Sequence, residues 1–274
     1  MEIFGTSKHM IIHGDALEAL QTVVPDNSVD LIFADPPYNI GKRFNGRIFK
    51  WDSEDAYLHW CYQWLDLCLR KLKPTGSLYV MTATQFMPYL DIYLRQKINI
   101  LSRIVWSYDS SGVQARKYFG SMYEPILFAV KDKSNYTFNA GDILIEAKTG
   151  ARRKLIDYRK SIPTAYNTEK VPGNVWNFAR VRYRMDEYEN HPTQKPVALL
   201  ERIIKASSNE GDLVLDPFSG TFTTCEVAKN LGRNCVGIEL QEEYIKIGLR
   251  RLNLAVDYKG EPLKRATRSF ENEK

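Results

Sequence analysis

Two short runs of this chain carry residue types that could do chemistry together. The first is Asp35-Pro36-Pro37-Tyr38, directly after the apolar run Leu31-Ile-Phe-Ala34. That run reads as a strand, and open α/β sheets take their ligands beyond the carboxyl ends of their strands. Two consecutive prolines stiffen the backbone and release carbonyls from ladder duty. A carboxylate and the neighbouring carbonyl can then face one small target, and an exocyclic amino group on a planar base suits them. Asp35 would accept one amino hydrogen, the Pro36 carbonyl the other, and Tyr38 would stack on the base. Those bonds draw the nitrogen lone pair out of conjugation and make it a nucleophile. Asp35, Pro36, Pro37 and Tyr38 are the candidate catalytic residues.

The second run is Asp216-Pro217-Phe218-Ser219-Gly220-Thr221-Phe222-Thr223-Thr224, directly after Leu213-Val-Leu215. Strand, small-residue turn and helix start form a cradle for a nucleotide. Gly220 lets the backbone approach a ligand closely. Amides at the helix start, with the Thr223 and Thr224 hydroxyls, could hold a carboxylate. Glu239 lies 23 residues past Asp216, after another apolar run. An acid at about that offset takes a ribose diol in dinucleotide folds. The candidate cofactor residues here are Asp35, Asp216, Phe218, Ser219, Gly220, Thr221, Thr223, Thr224 and Glu239. The glycine pattern is not that of a P-loop, and no Gly-Lys-Ser/Thr triplet follows, which disfavours nucleoside triphosphate hydrolysis.

Both runs need a scaffold, and the hydrophobic pattern supplies one. Strands are predicted at Met10–His13, Leu31–Ala34, Ser77–Met81, Ile100–Trp106, Ile126–Val130, Leu213–Leu215 and Cys235–Ile238. Helices are predicted over Glu54–Leu72, stopped by Pro74-Thr75-Gly76, over Val197–Ala206, after Thr223, and over Glu242–Leu254. Such alternation makes a doubly wound α/β sheet. The 274 residues suit one large domain, or a core with a smaller insert. At 44% hydrophobic and 26% charged, wholesale disorder and fibrous structure are excluded. No apolar run is long enough to cross a bilayer, and residues 1–10 lack a secretory signal, so a cytoplasmic protein is expected. Cys61, Cys68, Cys225 and Cys235 form no CxxC pair, so reduced thiols and no structural metal are expected.

The net charge is only +5, but it is unevenly spread. Between 148 and 184, ten Lys and Arg (Lys148, Arg152, Arg153, Lys154, Arg159, Lys160, Lys170, Arg180, Arg182, Arg184) face only Asp157 and Glu169. Tyr158, Tyr166, Trp176, Phe178 and Tyr183 are interleaved, a pattern favouring a nucleic-acid-contacting insert. Lys42, Arg43 and Arg47, with Phe44, Phe49 and Trp51, suggest a flap closing over DNA or a plain connecting loop. Trp106–Gly112 could line a base pocket or simply pack.

With both motifs in this order, the chain resembles the S-adenosylmethionine-dependent amino-methyltransferases of DNA. Asp-Pro-Pro-Tyr first and Phe-x-Gly last is similar to their permuted beta class, mostly adenine-specific. His13-Gly14-Asp15-Ala16-Leu17 resembles the class's early Gly-Asp element, Asn190-His191-Pro192-Thr193-Gln194-Lys195-Pro196 the element before the cofactor strand, and Tyr123-Glu124-Pro125-Ile126-Leu127 the segment entering the last strand, where His-Glu is frequent. The likeness covers residues 10–255. It implies a Rossmann-like, circularly permuted seven-stranded sheet, with a catalytic half at 1–130, a target-recognition insert at 131–190, a cofactor half at 191–255 and a polar tail at 256–274. It adds Asp15, His191, Thr193 and Lys195 to the cofactor residues. DNA contacts are expected from Lys42, Arg43, Arg47, Lys148, Arg152, Arg153, Lys154, Arg159, Lys160, Arg180, Arg182 and Arg184.

The implied reaction moves a methyl group from S-adenosylmethionine to N6 of a flipped-out adenine in double-stranded DNA, leaving S-adenosylhomocysteine. The enzyme would need no metal and would work as a monomer or homodimer. Methylation of cytosine N4 is the main alternative, although cytosine members more often carry serine where Asp35 stands. A glutamine methyltransferase and an inactive DNA-binding relative are further alternatives. One residue departs from the class: Phe222 stands where a second turn glycine is usual. Its backbone must adopt negative φ or be strained, and its ring is expected beneath the turn.

Overall fold

The structure is a computed structural model. It describes residues 1–265 except 42, 45, 46, 49, 110–115, 149–155 and 160, and of 43, 44, 47 and 48 it gives the backbone course only. Along the chain come β1 (Glu2–Gly5), β2 (His9–His13), α1 (Ala16–Thr22), β3 (Val29–Ala34), α2 (Glu54–Lys71), β4 (Leu72–Met81), α3 (Met87–Leu94), β5 (Asn99–Ser107) and β6 (Tyr123–Val130). Then follow β7 (Val175–Asn177), α4 (Val197–Ser207), β8 (Leu213–Asp216), α5 (Thr223–Asn230), β9 (Asn234–Glu239) and α6 (Glu242–Arg251). The nine strands form one sheet in the order β1-β2-β9-β8-β3-β4-β6-β5-β7. From β2 to β4 every pair is parallel. β6 runs antiparallel between β4 and β5.

The central strands are apolar on both faces because helices cover both. Leu20 of α1, Trp64 and Leu65 of α2 and Leu90 of α3 pack on one side. Leu199 and Ile203 of α4, Cys225 of α5 and Leu249 of α6 pack on the other. The seven expected strands are all present, and β1 and β7 extend the two edges. The N-terminal edge is a hairpin onto β2. At the other edge Trp176 pairs with Trp106, so the stretch 131–190 contributes a strand to the main sheet rather than leaving it. Three residues are too few to show a strand's alternation in sequence.

Local chemistry sets both ends of α2. The Ser53 hydroxyl accepts from the Ala56 amide at 3.0 Å and caps α2, which starts with Glu54 and Asp55 and ends with Arg70 and Lys71, as the helix dipole favours. The helix ends at Lys71, within one residue of the expected Leu72, and Pro74-Thr75-Gly76 follow it as strand rather than as a turn. Those residues lie inside β4, where the pairing with β3 shifts register between Val29 and Leu31. A bulge is where a strand tolerates proline. α6 ends at Arg251, short of the expected Leu254. Among the described residues, no helix is long and apolar enough to cross a membrane.

Candidate active site

The two motifs are far apart in sequence and adjacent in space. Leu31 and Ile32 of β3 pair with Val214 and Leu215 of β8, so Asp35 and Asp216 leave the carboxyl ends of neighbouring parallel strands. The Asp30 carboxylate reinforces this register by accepting from the Leu213 amide at 2.9 Å, 183 residues away. A cavity of about 350 Å³ opens there, lined by Asp35–Tyr38 from one motif and Asp216–Gly220 from the other. The walls also include Asp15, His191, Thr193, Lys195, Thr221, Thr223, Thr224 and Glu239. All the candidate catalytic and cofactor residues therefore meet at one pocket.

On the β8 side the turn is built around a close approach. Gly220 has φ +50°, and a Cβ there would meet His191 Nε2 at 3.2 Å. The His191 ring packs edge-on against Tyr244, with centroids 4.6 Å apart. Glu239 ties the turn down: Oε2 accepts from the Gly220 amide at 2.9 Å and Oε1 from the Gln241 amide at 2.8 Å. Burial pushes its carboxyl up to about 7, against the pull of those amides. Burial likewise raises Asp216 to about 7, although Thr224 and the Phe218 amide bond to it. The Thr223 hydroxyl accepts from Arg251 at 2.9 Å. Asp15 caps α1 through Oδ1, accepting from Leu17 at 2.9 Å and Glu18 at 3.2 Å, while lining the pocket.

Phe222 takes the strained option. Its φ is +60° and its ring is fully buried. The ring fills space that two glycines leave open. A Cβ on Gly248 of α6 would lie 2.4 Å from the ring, and one on Gly237 of β9 would lie 2.7 Å from it.

On the β3 side the acid is held in a largely buried cluster of charged and polar groups. The Lys195 ammonium lies 2.5 Å from Asp35 Oδ2 and 3.6 Å from Glu124 Oε2. The Tyr38 hydroxyl donates to Asp35 Oδ1 and stands 3.3 Å from Glu124 Oε2. Burial pushes the Asp35 carboxyl up; Lys195 pulls it down and Glu124 adds to the rise. Burial acts to lower Lys195, but Asp35 and Glu124 outweigh it and hold the ammonium above its ordinary value. Burial, with both carboxylates, raises Tyr38 far enough to keep its proton. Sequence reasoning assigned Lys195 to the cofactor and gave Glu124 no role. The structure places both against Asp35, because Glu124 starts antiparallel β6 at the same edge of the sheet.

Trp51 and Trp60 were also missed as pocket residues. They line the cavity, with ring centroids 4.8 Å apart, and Trp60 lies 5.6 Å from Phe218. Trp106 is a core residue whose indole donates to the Phe178 carbonyl at 2.9 Å. Among the expected DNA contacts, Lys42, Arg152, Arg153, Lys154 and Lys160 lie outside the described residues. Arg43 and Arg47 sit in a two-stranded hairpin, and Lys148 is exposed. Arg159 pairs with Asp157 at 2.8 Å. Arg180 lies 5.0 Å over the Tyr108 ring and Arg182 donates to the Asp109 carbonyl at 3.2 Å, both at the carboxyl end of β5 and so at the site's edge of the sheet. Arg184 is exposed, beside Tyr183.

Comparison with known proteins agrees with this architecture. The family model described as DNA methylase, N6_N4_Mtase, matches residues 29–250. The chain belongs to this DNA methylase family. Escherichia coli K12 DNA adenine methyltransferase YhdJ is 62% identical over 260 residues, covering 95% of this chain and 88% of that protein. Type II methyltransferase M.HpaI of Haemophilus parainfluenzae is 36% identical, covering 89% of this chain and 74% of its own length. The crystal structure of an M1.HpyAVI–SAM complex is 28% identical, covers 89% of this chain and 98% of that one, and superposes with a TM-score of 0.61. Strand β3, which leads into Asp35–Tyr38, precedes β8, which leads into Asp216–Gly220, in the chain and lies beside it in the sheet.

Proposed function

We propose that this methylase, whose cofactor is S-adenosylmethionine and whose substrate is DNA, acts on the N6 amino group of a flipped-out adenine. The observation that carries the reading is the shared pocket of Asp35–Tyr38 and Asp216–Gly220 at neighbouring strand ends. The 62% identity to a protein named DNA adenine methyltransferase supports adenine as the base.

The pocket fits the cofactor. Its volume suits a small ligand. The Gly220 turn is a cradle that a side chain would narrow, and Glu239 is a half-buried acid on the pocket wall able to accept further hydroxyl donors. Gly220, Glu239, Asp216 and the His191–Thr193 segment would hold it. When bound, S-adenosylmethionine supplies an electrophilic methyl on a cationic sulfur that leaves as a neutral thioether. The chain's own work is positioning, which can be worth roughly 7–11 kcal/mol.

Asp35 and the Pro36 carbonyl take the two amino hydrogens and fix the nitrogen's direction. Once that nitrogen turns cationic, Asp35 accepts its surplus proton. Extracting a base from a duplex costs a few kcal/mol. Stacking on Tyr38 and phosphate contacts from the basic stretch, with Arg180 and Arg182 at the rim, offset it. Incubation with labelled S-adenosylmethionine and genomic DNA, followed by nucleoside analysis, tests the reading. N6-methyladenine is the expected product; N4-methylcytosine would overturn the choice of base, and no product would overturn the activity.

A further inference from the structure

An amino group arriving at Asp35 meets two oxygens that each already hold a donor. Lys195 occupies Oδ2 at 2.5 Å and the Tyr38 hydroxyl occupies Oδ1. A second acceptor waits beside that hydroxyl: Glu124 Oε2 is 3.3 Å from it. We propose that Glu124 is a positioning residue that takes over the Tyr38 hydroxyl when the target base enters, leaving Asp35 Oδ1 free for an amino hydrogen. The inference rests on the assignment of Asp35 above.

The geometry makes the exchange small. The phenol need only swing its proton from one carboxylate to another already within hydrogen-bond reach. The donor count is conserved: Asp35 Oδ1 exchanges an O–H for an N–H, and the phenol finds a charged acceptor instead of being stranded in a buried site. The Glu124 charge is held in place by Lys195, 3.6 Å from the same Oε2, and its side chain is only 17% exposed. Without Glu124 the amino hydrogen would have to share Asp35 Oδ1 with the Tyr38 hydroxyl, which weakens both bonds.

The test is a double-mutant cycle between Glu124→Gln and Tyr38→Phe, which keeps the ring but has no hydroxyl to hand over. Single-turnover methyl transfer, DNA affinity and cofactor affinity are measured on the full chain. Glu124→Gln alone should lower kcat/KM for DNA by about tenfold, the loss expected when a hydrogen bond to a charged group is weakened, with cofactor Kd unchanged. In the Tyr38→Phe background the same substitution should change kcat/KM by less than about twofold. Glu124→Asp, which keeps the charge, should recover part of the loss and guards against a folding defect in the amide variant. Equal losses in both backgrounds would overturn the hand-off, as would a loss confined to cofactor binding. Asp35→Ala is run alongside. Full turnover in that variant overturns the Asp35 assignment itself, whereas a dead Asp35→Ala with an additive cycle overturns the hand-off alone.

Discussion

Gly248→Ala should destabilise the wild-type protein and stabilise a Phe222→Gly variant. In an α-helix interior, Gly→Ala is worth about 1 kcal/mol in favour of folding. At Gly248 of α6 the new Cβ would sit 2.4 Å from Phe222 Cδ2 and 2.7 Å from two further ring carbons. Carbon atoms prefer roughly 3.5–4.0 Å, and the ring is fully buried with Gly237 on its other side. Forcing the two apart costs about 1–3 kcal/mol, which outweighs the helical gain. Phe222→Gly removes the obstacle. It gives up about 3–5 kcal/mol of ring burial and recovers about 1–2 kcal/mol from the left-handed backbone at φ +60°. Within that variant the alanine methyl enters vacated space and keeps its helical advantage. Thermal or urea unfolding of the four proteins reads the cycle, at roughly 2–4 °C per kcal/mol for a chain of this size. Gly248→Ala lowering stability equally in both backgrounds would refute the idea that Phe222 and the glycine are a matched pair.

Asp35→Ala should abolish methyl transfer, read by label incorporation into DNA, while cofactor affinity by calorimetry stays near wild type. Glu239 and Asp216 have folded-state values pushed up to about 7 from ordinary values of 4.5 and 3.8. Both then hold protons in the folded state that the unfolded chain has released, so their contribution to stability is fully present below about pH 4 and fades as pH rises toward 7. Glu239→Gln should flatten that fall in the cofactor-free protein's melting temperature between pH 5 and 7, and an unchanged profile would show that Glu239 is not the titrating group. Replacing Arg152, Arg153 and Lys154 with alanine should weaken DNA binding and reduce the salt slope of log K by about 0.9 for each phosphate no longer neutralised. An unchanged slope would mean that the stretch does not meet phosphates.

Much of the site was legible in the residues because its parts are local. A strand followed by Asp-Pro-Pro-Tyr, and another followed by an Asp-Pro-Phe-Ser-Gly turn and a helix, declare their own conformations within ten residues, since apolar runs, prolines and glycine act on the nearest backbone. The alternating strands and helices likewise announced a doubly wound sheet. Pattern could not show that β3 and β8 would be neighbours, that Glu124 at the start of an antiparallel strand would meet Lys195 from a distant loop, or that the Phe222 ring would settle against Gly248. Each of those is a contact between segments tens to hundreds of residues apart. Side-chain types along one strand are compatible with several neighbours, and only the closing of the whole sheet, with helices packed on both faces, selects one. The reacting groups were thus written in the chain, and their mutual distances were set by packing.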